Sequence, residues 1–305
     1  FEISHVDRYV RQKRREGLTD FGITHVLLAA YVRGVARYPQ LNRFISGQKV
    51  YSRGNDIQYC MVVKKEMTID SVEDLYGFYV VSAFDNFKGQ IVKLGKDIVV
   101  NTGNATDWSK KEPTYAWKPV GGKALPFAGT FDGQMHTISG IYVKGKEYQG
   151  LFGYVDKTGV VRNFKLLDSY IESTGNYVGT IAYLHGNCES IYSNVVINAK
   201  AGSGYVGGIT GRFRGQCTSY SQALYEASAP QQYLKNCWFD GKIDIDGGYA
   251  RYTGGIMGRA MNPEADFRIE HCLVTATIST EYKSVPSVAG ICGIIEGKGT
   301  TVTIS

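Results

Sequence analysis

The carboxylates are the residues best placed for chemistry. The run Asp240-Gly-Lys-Ile-Asp-Ile-Asp246 alternates acid with isoleucine. Successive side chains on a strand point to opposite faces, so Asp244 and Asp246 would share one face and Ile243 and Ile245 the other. With Asp240 at the preceding turn, these carboxylates could hold Ca²⁺ or act as an acid/base pair on a glycosidic bond. The plainer alternative is a solvated outer face with the isoleucines inside. No cofactor other than Ca²⁺ is nominated. Asp132, followed by His136, offers a second acid/base pairing, but no spacing supplies a nucleophile, and Asp132-Gly133 also reads as a turn.

A second group of residues suits binding better than catalysis. Residues 212–233 are rich in Tyr, Ser and Gln, the composition of adaptable contact loops. Arg212, Arg214, Tyr220, Tyr225 and Tyr233 could grip a neutral or acidic partner by stacking and bidentate hydrogen bonds. A plain, tolerated insertion is the alternative. The chain holds 22 tyrosines in all.

The elements that must position these residues announce themselves through a repeat. Tyr148-Gln-Gly-Leu-Phe-Gly153 returns as Tyr177-Val-Gly-Thr-Ile-Ala182, Tyr205-Val-Gly-Gly-Ile-Thr-Gly211, Tyr252-Thr-Gly-Gly-Ile-Met-Gly258 and Ser287-Val-Ala-Gly-Ile-Cys-Gly293. The starts lie 29, 28, 47 and 35 residues apart, and 212–233 accounts for the longest step. Such periods mark repeat architectures, and the Gly-, Tyr-, Val- and Ile-rich units predict strands. Each unit adds a second strand: 160–167, 190–197, 234–239 and 269–274. Asn163, Asn194, Asn236 and His271 fall near the turns into these strands. Stacking predicts one internal column of Leu151, Ile181, Ile209, Ile256 and Ile291.

Charge divides the chain. All of the formal +6 falls within residues 1–67, and the remainder is neutral, so the larger part lacks the basic excess that nucleic acid requires. No apolar run reaches membrane-spanning length. The chain opens on Phe1 without a Met or a secretory signal, which predicts a fragment or a processed product. Among the six cysteines no C-x-x-C pair occurs. Cys237 and Cys272 hold matching places in two repeats, so either a disulfide or a ladder of free thiols is open to them.

Residues 1–67 read as α+β. A charged helix from Val6 ends at Gly17. Ile23, Val26, Leu27, Ala30 and Tyr31 then mark the apolar stripe of a second helix that Pro39 ends. Strands are expected at Phe44-Ile45 and 57–63. Tyr38-Pro-Gln-Leu-Asn-Arg-Phe-Ile-Ser-Gly-Gln-Lys-Val-Tyr-Ser-Arg53 and Val62-Val-Lys-Lys-Glu66 carry a resemblance. This segment resembles the start of the chloramphenicol acetyltransferase-like catalytic domain of 2-oxo acid dehydrogenase acyltransferases, a cytoplasmic family. None of the five histidines opens that family's H-x-x-x-D-G motif, so its acyl-transfer base is absent.

From Thr68 onward, a short helix over 69–79 and a strand over 88–98 lead into the repeats. Trp117-Lys-Pro-Val-Gly121, Phe127-Ala-Gly-Thr-Phe-Asp-Gly-Gln-Met-His-Thr-Ile-Ser-Gly140 and Gly150-Leu-Phe-Gly153 resemble bacterial GLUG-motif proteins, commonly surface or secreted. That resemblance implies a right-handed parallel β-helix over 68–305, placed outside the cell or at its surface, and no single activity. The expectation is therefore a mainly β solenoid after a small α+β segment. It would act as a non-enzymatic binding or adhesion module for a glycan or a protein. The competitors are a carbohydrate-active lyase or hydrolase, and a fragment of a coenzyme A-dependent acyltransferase.

Overall fold

The computed structural model describes residues 4–18, 21–46, 49–52, 66–200, 204–214, 232–246, 252–261, 267–280, 287–296 and 302–304. The chain divides into two compact units, Phe1–Val63 and Lys64–Ser305.

The first unit holds helices Ser4–Arg15 and Ile23–Arg37, a 3₁₀ turn Pro39–Asn42, and an antiparallel hairpin of Arg43–Ser46 with Lys49–Ser52. The strand expected at 57–63 lies outside the described residues. The apolar stripe does not end up inside. Val10 and Val35 are buried, whereas Ile23, Leu27 and Tyr31 stand exposed. Two helices and a hairpin are too small to enclose a full stripe.

The second unit is mainly β, and every strand pairing described in it is parallel. The division falls slightly before residue 68, because strand Glu66–Ile69 pairs with Ile91–Leu94 inside this unit. Successive repeats each add a strand to the same sheets. The first sheet runs from Glu66–Ile69 through Thr130–Asp132, Val160–Leu167, Asn187–Ser193, Gln232–Lys235 and Phe267–Glu270 to Val302–Ile304. The second stacks Tyr142–Gly145, Tyr170–Ser173, Val196–Lys200, Lys242–Asp246 and Thr277–Thr280. The third stacks Phe152–Val155, Ile181–Leu184, Thr210–Arg214, Met257–Met261 and Cys292–Glu296. A short fourth sheet joins Tyr205–Gly207, Tyr252–Gly254 and Val288–Ala289.

In-register stacking turns sequence positions into columns. On the first sheet, one column reads Lys93, Asp132, Arg162, Glu189, Lys235, Glu270, with the charge changing sign at each step. Arg162 bridges Asp132 at 3.0 Å and Lys235 bridges Glu189 at 3.2 Å. Opposite charges across paired strands stabilise a sheet and like charges do not, so this column favours the observed register. A neighbouring column forms the corner of the same strands: Asn163, Ser190, Asn236 and His271 all adopt left-handed backbone, with φ of 58°, 54°, 53° and 50°. Asn tolerates this region well, and Ser and His are short enough to follow. Ser190 takes the place expected of Asn194, whose side chain instead accepts a hydrogen bond from the Asp168 amide.

The expected apolar stack is shifted by one place in one repeat. Leu151, Ile181, Ile209 and Ile256 are buried in one core, with Ile291 packed against it. The paired strands align Ile181 with Phe152 and Thr210, however, so Thr180 occupies the column of Ile209 and Ile256. Thr180 is satisfied there: its hydroxyl donates to the Gly208 carbonyl and accepts from Ser193, both at 2.8 Å. At Gly140, φ is +75° and a Cβ would stand 2.0 Å from the Asn101 carbonyl oxygen, so glycine is required.

Helix Val72–Ser82 covers the core beside the edge strand Glu66–Ile69. Ser71 caps it by accepting from the Asp74 amide, while Asp74 accepts from Ser71 and the Asp70 amide. The helix buries Leu75 and Phe78, and Phe78 meets the rings of Phe87, Phe127, Phe131 and Phe152 at 5.0–6.2 Å between centroids. Phe78→Ala should leave a cavity beneath this helix. The expected loss is about 3–5 kcal/mol of unfolding free energy, read as a lower urea midpoint with unchanged slope.

Candidate functional site

Two columns of aromatic and cationic side chains meet along the fourth and third sheets. Tyr148, Tyr177, Tyr205 and Tyr252 open successive repeats, and their rings follow one another at 4.9, 5.3 and 5.8 Å. Tyr148 and Tyr177 adopt left-handed backbone, with φ of 58° and 65°. Bulky residues rarely do so, and such strain collects where function demands it. Beside them, on the outer side of the third sheet, register aligns Tyr154, Tyr183, Arg212, Arg259 and Ile294. The Tyr154 and Tyr183 rings lie 4.3 Å apart, and Tyr183 meets Tyr177 at 5.2 Å.

Each arginine reaches back one repeat. Arg212 Nη1 donates to Tyr177 Oη at 3.1 Å, and its guanidinium lies over the rings of Tyr183 and Tyr177 at 5.1 and 5.7 Å. Arg259 Nη1 donates to Tyr205 Oη at 2.7 Å and lies over that ring at 5.1 Å. Each cation–π contact of this kind contributes roughly 0.5–2 kcal/mol. Burial pushes the Tyr154 phenol up to about 12, and burial together with neighbouring tyrosines raises that of Tyr148. The face therefore offers neutral phenols and permanent guanidinium charge near neutral pH. Such groups can stack on a ring and clamp a carboxylate.

Arg212 and Arg214 thus lie on strand Thr210–Arg214 rather than in a loop. Tyr233 lies on strand Gln232–Lys235 of the first sheet, its hydroxyl 3.4 Å from Glu189 and its ring under Lys235. The structure does not bring it into the arginine column. Tyr220 and Tyr225 lie outside the described residues. Arg259, Tyr154 and Tyr183 were missed by the sequence reading. Their signal is the residue after each repeat phrase: Gly153-Tyr154, Ala182-Tyr183, Gly211-Arg212, Gly258-Arg259.

The carboxylate run alternates as its spacing required, with Ile243 and Ile245 buried and Asp246 exposed. Asp244 is bound by Lys242 at 2.7 Å and by the Ser279 hydroxyl. Asp240 accepts from Tyr192 and Thr275, at 3.2 and 2.5 Å. Among the described residues no group of three His, Cys, Asp or Glu could hold a metal ion. Asp132 does not face His136 as a partner. Burial alone would raise its pKa, yet the Gln134 amide, Asn163 and Arg162 hold it below the ordinary value. His136 pairs instead with Asp97 at 3.2 Å.

The described cysteines Cys188, Cys237, Cys272 and Cys292 are free thiols. Cys188 and Cys237 lie 3.7 Å apart, sulfur to sulfur, in the core. Burial and the hydrogen bond with Cys188 push the Cys237 thiol far up, and burial pushes Cys292 up to about 11. Such thiols are poor nucleophiles at neutral pH.

No protein-family model matches the chain. Over 83 residues it is 32% identical to a provisionally named Gly-rich membrane protein of Evansella cellulosilytica, a stretch covering 27% of this chain and 10% of that protein. Over 170 residues it is 29% identical to halomucin of Haloquadratum walsbyi, covering 53% of this chain and 2% of that one. The chain thus spans a small part of either relative. A solved structure from Bacteroides ovatus, provisionally assigned as an immunoglobulin A1 protease, superposes with a TM-score of 0.53 at 18% identity, covering 78% of this chain and 76% of that chain. At this identity the likeness is one of fold.

His185 ends strand Ile181–Leu184 near Arg214, and burial followed by that charge depresses its pKa to about 4. A histidine buried neutral favours unfolding once the unfolded chain can bind the proton. This effect is absent above about pH 6.5 and grows as pH falls toward 4. The urea midpoint should therefore fall more steeply between pH 7 and pH 4.5 in the parent chain than in His185→Gln. Equal slopes would contradict the assignment.

Proposed function

We propose that the Lys64–Ser305 unit is a right-handed parallel β-helix of the GLUG-motif kind, serving as a non-enzymatic binding or adhesion module at the cell surface. Its contact surface is the Tyr/Arg face, and its partner is a glycan. One observation carries this reading. On the first sheet, charges in a column alternate in sign, but on the third sheet Arg212 and Arg259 stand directly in register. Like charges so placed weaken a sheet. A rule of stability broken beside strained tyrosines is expected where a site serves a ligand. Tyrosine rings offer apolar faces with polar tips to sugar rings, and guanidinium forks add hydrogen bonds to hydroxyl or carboxylate groups.

The parallel stacking and the likeness of fold to the Bacteroides ovatus structure support the β-helix. The names of the two relatives, a membrane protein and a halomucin, favour the cell envelope. The Phe1–Val63 unit is read as the early part of an acyltransferase-like domain without its acyl-transfer base. Its exposed Ile23, Leu27 and Tyr31 suit a piece of a larger domain.

The test is binding of the full chain to a glycan array. Replacing Arg212 and Arg259 together by Ala should weaken retention at least tenfold. The double Lys variant, which keeps the charge but loses the fork, should fall between. Circular dichroism and the thermal midpoint report whether the sheets survive. Glycan binding that persists unchanged in a folded Ala variant would overturn the reading, as would retention by protein surfaces alone.

A further inference from the structure

The first sheet carries a second aromatic platform, in a different column from the Tyr/Arg face. Register aligns Lys165, Tyr192, Trp238 and Leu273 on its outer side. Trp238 is 40% exposed and Leu273 50% exposed. The other two tryptophans, Trp108 and Trp117, are buried. Tyr192 meets Trp238 edge to face at 4.7 Å.

The indole is held in place. Its Nε1–H donates to Thr275 Oγ1 at 2.8 Å, the Thr275 hydroxyl donates to Asp240 Oδ1 at 2.5 Å, and the Tyr192 hydroxyl donates to Asp240 Oδ2 at 3.2 Å. One carboxylate thus ties together the polar edges of both rings. With those edges engaged and the two rings in edge-to-face contact, the exposed 40% of Trp238 remains for a ligand. A ring fixed in this way loses little conformational entropy when something stacks on it.

We propose that Trp238, with Tyr192 and Leu273 beside it, is a stacking site for the apolar face of an uncharged pyranose in a neutral glycan. Charge decides against an acidic one. Burial, then Asp240 and Asp168, raise the Tyr192 pKa, and Asp240 is hydrogen-bonded to the Tyr192 hydroxyl, so carboxylates border the aromatic pair. The cation in the column, Lys165, is separated from Trp238 by the strand of Tyr192. Carboxylate oxygens accept hydrogen bonds from sugar hydroxyls and repel uronates or sulfates. A cationic occupant is less well served, because Tyr192 meets the indole edge-on instead of closing a cage over it. The site differs from the Tyr/Arg face in charge and in sheet, so either can fail without the other.

The test uses the full chain: Trp238 fluorescence reads the parent and the arginine variant, since the two other indoles are buried, and titration calorimetry reads the parent and the Trp238 variants. The probes are a panel of neutral oligosaccharides (gluco-, galacto-, manno- and xylo-configured), with polygalacturonate as the anionic control and polylysine as the cationic one. At least one neutral oligosaccharide should shift the emission and protect it from acrylamide. Trp238→Ala should weaken that binding at least tenfold, Trp238→Phe should weaken it less, and the paired Arg212→Ala and Arg259→Ala changes should leave it within twofold. The inference is overturned if no neutral oligosaccharide alters the signal, if only polylysine or polygalacturonate does, or if folded Trp238→Ala and Trp238→Phe both bind as the parent does.

Discussion

Everything in the larger unit depends on one constraint: each strand completes its backbone hydrogen bonds on the equivalent strand of the neighbouring repeat. Parallel strands need a crossover between them, and here the rest of each repeat supplies it while building further sheets. Equivalent positions are then fixed about 4.8 Å apart. Whatever a position contributes once, it contributes again next door. A phenylalanine becomes part of a continuous core, a left-handed corner becomes a row of corners, and a tyrosine becomes a ring stack.

Such repetition is costly for charge, and the two outer faces answer it differently. The column from Lys93 to Glu270 alternates in sign, so no like charges face each other and two of its pairings close ion pairs, Arg162 with Asp132 and Lys235 with Glu189. The column through Arg212 and Arg259 does not alternate; each guanidinium is carried back onto a tyrosine of the preceding repeat. The ring quadrupole and a phenol oxygen offset part of the repulsion there. The same geometry holds the tyrosines at fixed spacing, so the fold's stability and its candidate contact surface draw on the same side chains.

Three polar groups inside show the same logic of local satisfaction. Thr180 enters an apolar column because Ser193 and the Gly208 carbonyl lie within reach. Glu172 is buried, yet it accepts from Tyr170 at 2.9 Å and stands between Lys144 and Lys200. Asn101 serves the Tyr115 and Gly140 carbonyls and the Tyr115 amide. A buried polar group left unsatisfied would cost about 1–3 kcal/mol, so each of these substitutions into the interior comes with its own partners.

The sequence alone determined what depends on period and alternation. The recurring phrase implied stacked strands, the spacing of Ile243 and Ile245 set their inward side, and Asn163, Asn236 and His271 marked corners. The short helix expected over 69–79 is present, displaced to Val72–Ser82. Tertiary structure decided what depends on register and on the reach of side chains. A single added residue, Gly208, displaces Ile181 from its expected column, and no pattern within one repeat shows this. Composition groups Arg212 with the insertion 212–233, yet pairing with Tyr183 and Arg259 makes it strand. Asp240 and Asp244 share a run of sequence, but their partners lie on three different strands and a turn, and among the described residues no group of three His, Cys, Asp or Glu gathers there. The Trp238 platform was invisible for the same reason. Tyr192, Trp238 with Asp240, and Thr275 come from three successive repeats, and only stacking brings them together.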